Sequence, residues 1–118
     1  MPHVIFERAV TNLMKDLPDD RRQLAQQVLQ QNRKSMQTLR VELQAARRSV
    51  AAAFQAEEFD ETRLRNALDA MSKSQEAMRV ALRENAMVLV KELNQSEREQ
   101  LFRYFKRSRI RGRGMPKP

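Results

Sequence analysis

The chain has no cysteine and no tryptophan, only two glycines, and one histidine, His3. Without cysteine there are no disulfides and no thiolate metal sites, and either an oxidising or a reducing compartment is suitable. One histidine falls far short of a zinc constellation, and its position beside the N-terminus reads as a solvated side chain or a tag remnant. Gly112 and Gly114 both lie near the C-terminus, so no glycine-rich phosphate loop exists. Aromatic residues make up 5% of the chain and much of the apolar fraction is alanine, which argues against a thick globular core. No apolar run reaches the roughly 20 residues of a membrane span, and no signal peptide is visible.

Catalytic groupings are also missing. The adjacent carboxylates Asp19/Asp20 and Glu57/Glu58 sit at expected helix ends, where acids serve as caps, and neighbouring helical positions do not face each other. Ser72 and Ser74 have no nearby base. The residues give no argument for an enzyme, a cofactor or a strong metal site.

What is present is periodicity. Ala25, Leu29, Asn32, Met36, Leu39, Leu43, Ala46, Val50 and Ala53 alternate steps of three and four, and so do Leu64, Leu68, Met71, Gln75, Met78, Leu82, Asn85 and Leu89. This is the pattern of helices that pack along a seam. Neither stretch contains Gly or Pro, and the short break Ala56-Glu57-Glu58-Phe59-Asp60 separates them. The fold class is therefore all-α: a hooked helical hairpin of two long antiparallel helices with short N- and C-terminal helices. Two such helices bury only a seam, so a second copy is expected to cover further apolar surface and the protein is read as a homodimer.

Local signals place the ends. Phe6, Val10, Leu13 and Leu17 define a short first helix, and Pro18-Asp19-Asp20 suits the start of the next. Asp60 is a good N-cap for the third helix. Asn94-Gln95 breaks that helix after Leu93, and Ser96-Glu97-Arg98-Glu99 reads as a capping box for a last helix in which Leu101, Phe102 and Phe105 pack. An antiparallel register pairs Leu43 with Met71 and Met36 with Met78, and it brings Asn32 and Asn85 into adjacent layers, where their amides are expected to bond and pin the register.

The flanks of the seam differ. Arg33, Arg40, Arg47, Arg65 and Arg79 form an arginine ridge on one side. The other side, Val28, Ser35, Glu42, Ser49, Ala67, Ser74, Ala81 and Val88, is small and weakly polar. Apart from Glu42, it is the expected partner or dimer surface. Val41, Val80 and Met87 point further outward and widen the apolar area. Of the net charge of +8, seven units follow Glu99, including Arg107, Arg109, Arg111 and Arg113. Residues 1–107 are thus read as the helical hairpin domain and residues 108–118 as a basic disordered tail able to meet an anionic membrane surface or phosphate. Nucleic acid is the weaker choice, since few aromatics accompany the basic residues.

Leu17-Pro18-Asp19-Asp20-Arg21 before the long helix, Ala45-Ala46-Arg47-Arg48 within it, the bend Ala56–Asp60, and Leu93-Asn94-Gln95-Ser96-Glu97-Arg98 form an ordered set. Over about residues 5 to 107 the set resembles the periplasmic heavy-metal sensor, or metal-resistance, family, related to the Spy- and CpxP-type stress proteins with their LTxxQ signature. The resemblance implies a hooked, dimeric four-helix subunit in the periplasm, held at the inner membrane by a segment outside the present sequence. It implies metal or envelope-stress sensing, partner binding, or ATP-independent chaperoning. Metal-sensing members use histidines with a carboxylate and a methionine; here Arg83 stands at one such histidine position, with Met87 a turn later, and the other histidines are absent. The expected function is a sensor-like or adaptor protein that acts by binding a protein client or membrane signalling partner. The alternatives are a periplasmic chaperone and a nucleic-acid-binding helical protein using the basic tail and arginine ridge.

Overall fold

A computed structural model describes residues 2–112. Four helices follow in order: α1 (Pro2–Met14), α2 (Asp19–Gln55), α3 (Glu61–Val90) and α4 (Gln95–Gly112). There is no strand among the described residues, and α2 and α3 pack closely as a helical hairpin. Two compact units emerge, residues 33–83 and the remainder.

The unit of residues 33–83 holds the facing portions of α2 and α3 and the bend. On α2 the seam is as the heptads indicate, with Met36, Leu43, Ala46 and Ala53 buried. On α3 the heptad positions Leu64, Met71, Met78 and Leu82 are half-buried, and the inward stripe extends onto the small-residue flank. Ala67 is buried, and Ser74 and Ala81 are half-buried, while Leu68 and Gln75 are exposed. Small residues let two helices approach, and this preference outweighs the larger leucine. The bend is closed by Asp60, whose Oδ1 accepts from the Arg63 N–H at 3.1 Å and whose carbonyl accepts from the Leu64 N–H at 3.1 Å. Asp60 is therefore the N-cap of α3.

In the other unit α1 packs on α4. Phe6, Ala9, Val10 and Leu13, at helical spacing, are buried, as are Leu101 and Ser108 of α4. The Phe6 and Phe105 rings lie 6.4 Å apart and tilted, a favourable aromatic geometry. His3 belongs to this packing too: it is 8% exposed and has an interaction partner, which corrects its reading as a solvated residue. Phe102 departs in the opposite sense. It is 63% exposed and does not pack α4.

Two further corrections concern α4. Its capping box uses Asn94 and Glu97, two residues earlier than the Ser96/Glu99 pair. The Glu97 N–H donates to Asn94 Oδ1 at 2.8 Å, and the Asn94 N–H donates to Glu97 Oε1 at 3.0 Å. Asparagine caps as well as serine does, and its choice puts Leu93 just before the cap, where Leu93 is buried. The helix then continues through Gly112, so a boundary after Arg107 falls inside α4. Arg, Lys and Ile resist helix far less than Gly or Pro, and burial of Ser108 ties this turn to the fold.

The asparagine pair forms as read. Asn85 Nδ2 donates to Asn32 Oδ1 at 3.0 Å, and Asn32 is fully buried. The Nδ2 of Asn32 is itself buried without a hydrogen bond to any described residue. A buried amide left short of partners costs stability while it specifies register. Asn85→Leu should therefore lose about 1–3 kcal/mol, because Asn32 then keeps no partner. The double change Asn32→Leu/Asn85→Leu should recover that loss in urea unfolding.

Candidate functional site

The two interhelix turns share one design. In the first, Arg22 donates through Nη2 to the Leu17 carbonyl at 2.8 Å and through Nε to the Met14 carbonyl at 3.1 Å. In the second, Arg98 Nη1 donates to the Leu93 carbonyl at 2.7 Å. In both turns an arginine five residues after a buried leucine satisfies carbonyls left unpaired where the preceding helix ends. The residues four after each leucine meet each other. Arg21 Nε donates to Glu97 Oε2 at 2.9 Å, with Nη2 at 2.8 Å from the same oxygen. The leucine-turn-Arg signatures are thus occupied in holding the fold and are not presented to a ligand.

Charge in this pair is well compensated. Burial is the strongest single influence on the Glu97 carboxyl and opposes its ionisation, but the Asn94 N–H and the Arg21 guanidinium together hold it below the usual carboxylate range. Arg21 is raised by its hydrogen bond to Glu97. A depressed carboxylate stabilises the fold above its unfolded value of 4.5, and the contribution is lost as pH falls through the folded value. Glu97→Gln should flatten the loss of thermal stability in acid below about pH 4.5, measured by melting across a pH series.

The residues expected to form the surfaces separate into groups. Val28 and Ala67 are buried within the chain. Ser35, Ser74 and Ala81 are half-buried; Ser49 and Val88 are exposed. Ser49, Ala67, Ala45, Ala52 and Ala70 line an open groove of about 770 Å³ in the hairpin unit, with Arg48, Arg63 and Asp60 also at its walls. The arginines are all exposed on the hairpin. Arg65 pairs with Glu61 at 2.5 Å, Arg79 pairs with Glu76, and Arg33 and Arg40 also have partners. At Arg65 and Arg79 an acid one turn away on the same helix relieves the ridge, at the modest strength of exposed pairs. Arg107 lies over the Tyr104 ring at 5.1 Å and Arg109 is exposed; the Arg111 side chain and Arg113 lie outside the described residues.

The sequence reading missed two residues. Phe54 in the last turn of α2 and Phe59 in the bend are 70% and 68% exposed, and Val41 on the same unit is 61% exposed. The signal was available: Phe54 directly follows the seam residue Ala53, hence off the stripe, and Phe59 lies in the bend.

These features define an all-helical protein with a helical hairpin. A family model described as heavy-metal resistance matches residues 6–100, and the chain belongs to the heavy-metal resistance family. No curated protein and no solved structure matches the chain.

The family name prompts a test of metal fit. Among the described residues no group of three or more His, Cys, Asp or Glu side chains is placed to hold a metal ion. Arg83 is exposed and has a partner, Met87 is 52% exposed, and His3 is buried in α1. A thioether beside a guanidinium is a poor ligand set for borderline divalent ions, so the described residues of one chain do not fit a metal centre. Calorimetry on tag-free protein should give no stoichiometric submicromolar binding of zinc, copper or nickel; such binding would place ligands from more than one chain around the ion.

Proposed function

We propose that this member of the heavy-metal resistance family is a periplasmic, sensor-like adaptor that acts by binding another protein, as a homodimer and without a metal centre of its own. The observation that supports it is the hairpin unit's exposed apolar side chains. Its seam is closed by Met36, Leu43, Ala46 and Ala53, yet Val41, Phe54 and Phe59 remain largely in water. Large apolar groups held on a stable helical frame, interspersed with arginines, fit a partner segment that is apolar and acidic. Phe54 and Phe59 supply the contact area, and the small-residue groove beside Ser49 and Ala52 gives a partner side chain room to enter. The periplasmic location and the dimer rest on the likeness to the periplasmic sensor family.

A chaperone is the nearest variant, since the same side chains would meet unfolded chains. The adaptor reading requires one defined partner and a saturable complex. The test is complementation of a deletion strain under metal challenge, with the protein traced by fractionation. Phe54→Ser/Phe59→Ser should be as abundant in the periplasmic fraction as the parent but fail to restore resistance. Loss of two anchors corresponds to roughly 30-fold or weaker partner binding. Full complementation by the double variant, or a cytosolic location of the parent, would refute the proposal.

A further inference from the structure

The outer face of α4 carries a different chemistry. Its inner face is satisfied by Leu101, Ser108 and the Phe6–Phe105 contact. Outward, Phe102 and Ile110 are 63% and 54% exposed. They lie two turns apart, and Lys106 stands between them on the same side of the helix. Lys106 Nζ sits over the Phe102 ring at 5.8 Å. Arg103, Arg107 and Arg109 are exposed around them, against a single exposed acid on the described helix, Glu99. Glu97 is engaged by Arg21, and Asp16, just after α1, accepts from Tyr104 Oη at 2.9 Å.

We propose that the outer face of α4 docks on an anionic phospholipid bilayer, with Phe102 and Ile110 entering the headgroup boundary and the surrounding Lys106, Arg103 and Arg109 meeting phosphates. The argument is charge complementarity joined to apolar side chains on one face. A helix that lies in a bilayer interface uses both, aromatic and aliphatic groups below and Lys/Arg around them. Each basic residue near the surface adds attraction to anionic lipid, and that part is screened by salt. Single-stranded nucleic acid would instead take flat rings for base stacking along a basic groove, and Ile110 has no ring. A purely polar, acidic surface would meet the arginines and leave Phe102 and Ile110 in water. The docking uses α4 alone and does not depend on the partner surface of the hairpin.

The experiment is vesicle flotation with the whole chain. Vesicles are either pure phosphatidylcholine or contain about one-third phosphatidylglycerol. Binding is expected only to the anionic vesicles. Phe102→Ser/Ile110→Ser, which keeps every charge, should weaken it about tenfold or more, since each removed side chain loses its apolar transfer into the interface. Lys106→Glu/Arg109→Glu should abolish it at physiological salt. All four side chains are exposed, so circular dichroism melts of the variants should match the parent. The proposal is overturned if anionic vesicles are not bound at low salt, or if the Phe102/Ile110 variant floats like the parent. It is equally overturned if a single-stranded oligonucleotide of the same charge concentration binds more tightly than the anionic vesicles.

Discussion

A two-helix hairpin can bury one stripe on each helix and no more, and this limit governs the rest of the molecule. In the unit of residues 33–83 the stripe on α2 is deeply covered, and that on α3, carried by Ala67, Ser74 and Ala81 beside Met71 and Met78, is only partly so. Any large apolar side chain off the stripe has no place inside the unit. Phe54 and Phe59 are such side chains, and their exposure follows from the geometry of two helices and a tight bend. A hairpin that keeps phenylalanines in water loses favourable burial at each one. That loss is intelligible where a partner covers the rings, which is the physical basis of the adaptor reading.

The four-helix unit solves the opposite problem. There α1 and α4 cover each other, and the difficulty lies in the unpaired carbonyls where helices end. Arg22 and Arg98 answer it at equivalent places in the two turns, and Arg21 and Glu97 join the turns to each other. The repeated leucine-turn-Arg signature is thus explained by hydrogen bonding within the fold. A motif that marks a family need not mark its ligand site. In this chain the motif holds the scaffold, and the proposed recognition surface lies outside it.

Much of this was legible beforehand. Long Gly- and Pro-free heptads located α2 and α3, Asp60 announced its cap, and the two asparagines announced their bond, because each of these is a local or periodic property. The spread of the α3 stripe onto the small-residue flank was not legible. Reading by size favours Leu68 and Gln75 as heptad positions, whereas close helix approach favours Ala67 and Ser74. The end of α4 was missed because its composition, rich in Arg and close to Gly and Pro, resembles a tail, although Arg and Lys are good helix formers. Burial of His3 and Ser108 and exposure of Phe102 depend on how α1 meets α4, which no single-helix pattern contains.

Under the adaptor proposal the bend phenylalanines bind the partner, while the turn signatures hold the fold. Photo-crosslinking in intact cells separates the two most directly. A benzophenone side chain at position 54 should give one dominant adduct with a defined protein, and the same group at the exposed polar position Gln37 should not. An equal adduct from both positions, or none from position 54 in cells under metal challenge, would contradict it.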